Sequence, residues 1–461
     1  MSKQLLNLTE DPIGHLFIKI AVPSTIGTIF QTLYNVVDTF FAGKISSEAL
    51  SGIAQTFPVF FIIIAIGVGL SIGTTSLISN SLGEKDNKKA SYLLAQAILI
   101  SILTAIIVTI IGIAIGPIII SSIGQDDLVN KLSLQYLNII FLGSIFVFIQ
   151  MTINSSLNAT GDTKSYRNVL IFSFFLNIIL NPILVFGYGF VPELGIKGIA
   201  ISTIISQFIG LSYLLFKVLK TNLIKYLYFN YFKPNVELIS DLLKQGFPAS
   251  IGMLMISVGV YIILFFIGQF GDLAIAGYGT AIRYEQIFLL PVLGLNTAVL
   301  SLTGQNYGAK KINRINEIYN KALFYGCILM FFCAFIIYFT AEFIVGLFTN
   351  NQEVILYGKT YLQITCLMEP IYPIFFISNA IIQGIKKSHL VLILTIIRMV
   401  LLPAIILWLL IFHMNKTFEF VFWGLLIINW IMGISVFVFT KYLIRKEINI
   451  LNLSNSLHQV N

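Results

Sequence analysis

Long apolar runs broken at short, regular intervals by polar residues dominate this chain. About 20 consecutive apolar residues span a bilayer as a helix. That rule predicts twelve spans, near 15–42, 50–79, 91–122, 130–156, 166–188, 194–218, 240–268, 273–304, 317–348, 354–382, 388–412 and 418–443. The sizeable polar interruption, in KTNLIKYLYFNYFKPN, separates two sets of six. The pattern therefore divides the chain into an N-terminal lobe over 1–222, a cytoplasmic linker over 223–236 and a C-terminal lobe over 237–461.

The two lobes repeat. A shift of 225 residues sets Pro23 on Pro248, Gly27 on Gly252, Gly43 on Gly268, Gly52 on Gly277, Gly69 on Gly294 and Gly83 on Gly308 without a gap. It also sets Tyr136-Leu137 on Tyr361-Leu362. An even number of spans separates the copies, so both have one orientation and are related by a pseudo-twofold axis along the membrane normal. The expected fold is an all-α integral membrane protein, two six-helix bundles around a central cavity, which is a transporter plan.

Composition agrees. Of 461 residues, 57% are hydrophobic and 10% charged, against about 25% charged in soluble domains. The net charge of +8 comes largely from loop lysines and arginines, which set topology rather than bind nucleic acid. GEKDNKKA, DTKSYR, GAKKINRI, IKKS and the tail KYLIRKE fall on one side; GKISSE, GQDDL, GQFGD and TNNQE fall on the other. The positive-inside rule then expects a multi-pass plasma-membrane protein with both termini cytoplasmic. MSKQLLNLTEDPIGHLF has no secretory-signal pattern, so the first helix is expected to persist. Cys327, Cys333 and Cys366 sit in apolar runs, and His15, His389, His413 and His458 are scattered. Neither set has metal-ligand spacing, and no cofactor is expected. No nucleophile or acid–base cluster marks an enzyme.

Polar residues inside the spans carry the candidate chemistry. Asp38 interrupts LYNVVDTFFAG; a carboxylate there costs roughly 2.5–3.5 kcal/mol on insertion scales and is a functional residue by default. Asn177 and Asn181 stand i, i+4 on the fifth helix, and Thr203 on the sixth, at the same outer depth. Tyr34, one turn before Asp38, is placed to hydrogen-bond it. The bland reading of each amide and hydroxyl is a bond to a neighbouring helix. The 225-residue shift sets Ile263 opposite Asp38, so the acid is not duplicated. The second lobe instead has Glu285, Glu369 and Arg398 near mid-depth. A structural ion pair between Arg398 and a glutamate stands beside a substrate-cavity role for the three. Arg283, two residues from Glu285, is expected to face elsewhere.

LYNVVDTFFAGKISSEALSGIAQTFPVF with GVGLSIGTTSLISNSLGEKD, and IRYEQIFLLPVLGLNTAVLSLTGQNYGAKK in the second half, resemble the multidrug and toxic-compound extrusion (MATE) family. SSLNATGDTKS and NAIIQGIKKS resemble its paired loops after the fourth and tenth helices. The resemblance implies a twelve-helix antiporter that expels organic cations against inward proton or sodium flux. The first-lobe site is similar to the family's DinF-like branch, where an aspartate at the position of Asp38 is the coupling acid and partners match Asn177 and Thr203. The second acid often present on the fifth helix is Asn181 here. The NorM-like branch has acids on the seventh and tenth helices; the seventh has none here, and Glu369 lies about a turn from the expected place. The rival within the superfamily is a lipid-linked saccharide flippase, whose anionic substrates would call for a basic cavity. A sensor would usually carry a soluble output domain.

Overall fold

The computed structural model describes residues 6–460, with side chains to 453; His458 and the ends of the expected lobes lie outside the described side chains. Among the described residues, twelve helices are long and apolar enough to cross a membrane. They are α1 Ile13–Ile45, α2 Ser47–Gly83, α3 Asn87–Ile123, α4 Asp127–Ala159, α5 Lys164–Phe186, α6 Ile196–Val218, α7 Val236–Phe270, α8 Asp272–Gly308, α9 Ile312–Gly346, α10 Gln352–Gly384, α11 Ser388–His413 and α12 Phe418–Leu453. Among the described residues there is no strand, only an isolated bridge between Tyr188 and Val191. Most helices overrun their expected spans, because the helix continues past the apolar run until a capping residue ends it. Ser46, Asp86, Asp126 and Asn351 each cap a helix by accepting first-turn backbone N–H groups, which would otherwise lack partners.

The backbone keeps the 225-residue offset read from the glycines. Asp126 and Asn351, which cap α4 and α10, are one such pair. Lys85 and Lys310 are another, both left-handed with φ of 61° and 57°. Each closes its helix with the same two bonds. Lys85 N reaches Leu82 O and Asp86 N reaches Ser81 O; Lys310 N reaches Tyr307 O and Lys311 N reaches Asn306 O. The turns after α4 and α10 repeat this with Gly161 and Lys386, both at positive φ. This is the six-to-one closure of a helix C-terminus.

Two compact units result, one formed by residues 26–250 and the other by residues 1–25 with 251–461. The division falls two residues beyond Pro23 and Pro248, not in the expected 223–236 linker. Two glycines give the physical reason. In the first unit, Gly69 of α2 lies against the backbone of Gly246 and Ser250 on α7; a Cβ there would stand 2.8 Å from Ser250 N. In the second, Gly294 of α8 lies against Ala21 and Thr25 on α1; a Cβ would stand 2.7 Å from Ala21 O and 2.9 Å from Thr25 N. Small residues allow such backbone approach, as is usual where membrane helices cross closely. The start of each lobe's leading helix is thereby gathered into the unit built by the other repeat.

The linker is fastened rather than free. It holds a helical turn at Asn222–Lys225 and a 3-10 turn at Phe229–Phe232. Gln96 of α3 donates to the carbonyls of Tyr231 and Lys233 and accepts from Asn235 N. Tyr92 and Tyr231 stack with centroids 4.5 Å apart.

The first unit's core has two clusters, one around Leu94, Leu157 and Leu214, the other around Ile63, Phe141, Phe148 and Ile199. The second unit's main cluster is more aromatic, with Tyr278, Tyr361, Phe375, Phe418 and Phe422. Its helices are also less regular. Around Pro370, α10 tightens into a 3-10 segment, Cys366–Ile371, and α11 widens into a π segment, Ile397–Leu401, just before Pro403. Proline supplies no backbone N–H, so the local ladder must be re-formed.

Candidate functional site

Four of the residues singled out in the first lobe meet. Asp38, 7% exposed, projects from α1. One carboxylate oxygen accepts from Asn177 Nδ2 at 2.9 Å and from Asn181 Nδ2 at 3.0 Å. The other accepts from Thr203 Oγ1 at 3.2 Å. The donors lie on α5 and α6, so three helices close on one acid. The amides are themselves organised: Asn181 Nδ2 donates to Asn177 Oδ1 at 3.0 Å, and Asn177 Nδ2 reaches Ser202 Oγ at 3.3 Å. The i, i+4 spacing makes the first of these bonds, since it puts both side chains on one face of α5.

The chemistry follows from these donors. A buried charge is tolerated only where dipoles replace lost water. Asp38 has three donors for its two oxygens, an arrangement suited to a carboxylate. The set is also unfinished: Asn181 Oδ1 and Ser206 Oγ are buried without partners. An acid oxygen beside an unpartnered amide carbonyl offers oxygen ligands to a proton or a hard cation.

Tyr34 departs from expectation. It is buried, but its hydroxyl makes no hydrogen bond, and the anticipated bond to Asp38 is absent. The long ring carries the hydroxyl toward Thr203, Ser206 and Asn177, while the shorter donors of α5 and α6 take the carboxylate. Ser202 and Ser206 were not singled out from sequence; their signal was spacing, for they flank Thr203 on α6. Tyr136, buried near Asp38 and Tyr34, was noted as a repeat landmark and not as a neighbour of the acid.

In the second unit Glu285, on α8, is 4% exposed. It accepts from the Tyr361 hydroxyl on one oxygen and from Tyr372 Oη at 3.2 Å on the other. Tyr361 is the repeat counterpart of Tyr136, so equivalent tyrosines attend acids from different helices. Glu369 is fully buried; no N–H or hydroxyl of another residue type reaches its oxygens, and its polar neighbour is the Glu285 carboxyl, with which it can share a proton. Arg283 is exposed and faces away from Glu285, as its spacing requires.

Arg398 corrects the ion-pair expectation. Among the described residues it forms no salt bridge with Glu285 or Glu369. Its Nε donates to Asn429 Oδ1 at 2.8 Å. Its guanidinium lies 3.6 Å from the Phe375 ring centroid and 5.7 Å from that of Tyr372. Glu285 is already held by two tyrosines, and Arg398 lies on the π segment of α11, where an aromatic face and an amide are what it meets. A planar guanidinium suits that stacked site. No group of three or more His, Cys, Asp or Glu side chains among the described residues has the geometry to hold a metal.

Known proteins match this chain over most of its length. Multidrug export protein MepA of Staphylococcus aureus is 25% identical over 452 residues, which cover 97% of this chain and 98% of that protein. The "Probable multidrug resistance protein YoeA" of Bacillus subtilis is 27% identical over 351 residues, 75% of each chain. A solved structure of an outward-facing multidrug resistance MATE family transporter of the MOP superfamily superposes with a TM-score of 0.89 at 25% identity, covering 97% of this chain and 99% of that one. The sequence model of the MatE family matches twice, over 23–183 and 248–409. The two matches begin at the prolines that first revealed the repeat, and they take in Asp38 with both asparagines on one side and Glu285, Glu369 and Arg398 on the other. By this double match, spanning the greater part of both repeats, the chain belongs to the MatE family of efflux transporters.

Proposed function

We propose that this transporter is a secondary active antiporter that exports organic cations and drugs in exchange for protons or sodium, with Asp38 as the coupling acid. The supporting observation is the buried Asp38 carboxylate, held by Asn177, Asn181 and Thr203 from two other helices. Export of drugs is carried over from the relatives named above; the coupling role is argued from the site.

The physics is competition. Ionised, Asp38 accepts all three donors and adds a negative field that favours a cation. A proton on one oxygen makes it a hydroxyl that donates and accepts only weakly, so the three bonds weaken or rearrange. The field is then cancelled and cation affinity falls. By linkage, the cation opposes protonation to the same extent. Because α1 contributes to both compact units, dividing after Thr25, a rearrangement at Asp38 acts on a helix shared between them. Sodium is the alternative coupling ion, and the unpartnered Asn181 Oδ1 favours it as a ligand beside Asp38. Glu285, Glu369 and Arg398 are proposed as second-lobe cavity groups, and Tyr34 as a packing wall of the Asp38 site. A lipid-linked saccharide flippase is the second reading. The uncompensated Arg398 favours it, but the other buried charges of both lobes are acidic, which opposes it.

The test is substrate-driven proton or sodium flux in proteoliposomes that contain the pure protein. Asp38→Asn is expected to insert and fold but to lose coupled flux. Full transport by that variant removes the assignment. A flippase would leave dye efflux unaffected and alter envelope glycan instead.

A further inference from the structure

Near its KYLIRKE end, α12 presents a second kind of site. A groove of about 540 Å³ is lined by Asn316 of α9 and by Phe437, Val438, Lys441, Arg445 and Ile448, among others, of α12. Phe437, Lys441, Arg445 and Ile448 recur at helical spacing, so one face of α12 is apolar above, doubly cationic in the middle and apolar again below.

The cations are held but not neutralised. Lys441 Nζ donates to Asn316 Oδ1 at 2.8 Å and Asn320 Oδ1 at 2.5 Å. It also lies 5.2 Å from the Tyr319 ring and 5.9 Å from the Phe437 ring. All four partners are uncharged. Arg445, one turn on, is exposed. Among the described residues neither cation pairs with a carboxylate. The acid on this stretch, Glu447, is taken by Lys387 Nζ at 2.5 Å and by Tyr307 Oη at 3.1 Å. Glu317 of α9 is exposed and does not line the groove. The pair of like charges costs free energy that a bound anion recovers.

Depth selects the anion. Lys441 lies 23 residues beyond the start of α12 at Phe418, or about 35 Å along the helix axis. A hydrocarbon core is about 30 Å thick. The two cations therefore stand at headgroup level when Phe418 lies at the opposite surface, and the apolar wall before them, Phe437 and Val438, lies where acyl chains run. Basic pockets between helices at such a level suit phosphate headgroups. We infer that the groove between α9 and α12 binds the phosphate of an anionic glycerophospholipid, with Lys441 and Arg445 on the headgroup and Phe437 and Val438 along an acyl chain. A free phosphate would use the cations and leave the walls bare.

The test is lipid retention by the full-length protein, measured by native mass spectrometry after exchange with phosphatidylglycerol or phosphatidylcholine vesicles, with inorganic phosphate as the soluble arm. Phosphatidylglycerol is expected to be retained about tenfold more strongly than phosphatidylcholine. Lys441→Gln with Arg445→Gln should bring it down to the phosphatidylcholine level, while Lys446→Gln, exposed and outside the groove, should leave it unchanged. Arg445→Gln alone removes an exposed side chain with no ion pair, and should give part of that loss even if the double variant fails to fold. Equal retention of the two lipids, unchanged retention in Arg445→Gln, or displacement by inorganic phosphate would overturn the inference.

Discussion

The two lobes share a backbone and differ in how each keeps an acid. In the first, Asp38 draws donors from two asparagines and a threonine on neighbouring helices. In the second, Glu285 is held by two tyrosines within an aromatic cluster, and Glu369 meets no amide or hydroxyl donor but only the Glu285 carboxyl. The counterpart of Asp38, Ile263, packs against that cluster. Amide N–H groups and a hydroxyl can stabilise a full charge; a bare buried carboxyl keeps the whole desolvation cost of charging. Duplication thus preserved the turns and crossings while the polar chemistry diverged, because helix ends and close approaches tolerate fewer residue types than a cavity wall does.

That contrast sets the order of expected effects. The largest belongs to the first lobe: Asp38→Asn should bring coupled efflux to background in a dye-efflux assay with and without an uncoupler, whereas Glu369→Gln should leave measurable coupled transport. Equal losses would erase the distinction between the lobes. Next come the backbone contacts, where the lobes should behave alike. Gly69→Ala and Gly294→Ala each push a methyl group into backbone of a neighbouring helix, and each should cost about 1–3 kcal/mol, read as similar drops in thermal unfolding temperature. A loss confined to one variant would mean that the repeat is not structurally equivalent there. Smaller again is Arg398→Lys, which keeps the charge but loses the planar stack on Phe375 and the Nε bond to Asn429. Roughly 1 kcal/mol of stability should go, and an unchanged unfolding temperature would show that the stack carries no weight. Smallest is Tyr34→Phe. Its hydroxyl has no partner, so stability should stay within about 0.5 kcal/mol, and a larger loss would reveal a bond formed in another state of the transporter.

Much of this was legible in the chain. Apolar run length gave the twelve helices, since a membrane leaves a spanning segment no alternative to satisfying its own backbone. The glycine offset foretold paired turns as far apart as Lys85 with Lys310 and Gly161 with Lys386. The meeting of Asp38, Asn177, Asn181 and Thr203 followed from depth and helix face. Other features were out of reach of linear reasoning. Tyr361 and Tyr372 as partners of Glu285, and Phe375 with Asn429 as partners of Arg398, depend on how four helices rotate about their axes. Polar count and depth alone left an ion pair of Arg398 with a glutamate and a cavity role side by side.

By itself, then, the sequence determined the number of helices, the parallel repeat and the depth of the acids, because hydropathy and helical periodicity act locally along the chain. Only the tertiary structure decided which donors each acid receives, that Tyr34 and Arg398 make no bond to their nearest carboxylates, and that the units divide at Thr25 and Ser250. Those outcomes rest on side-chain length, helix rotation and backbone approach at glycine, which are properties of packed neighbours and not of any single segment.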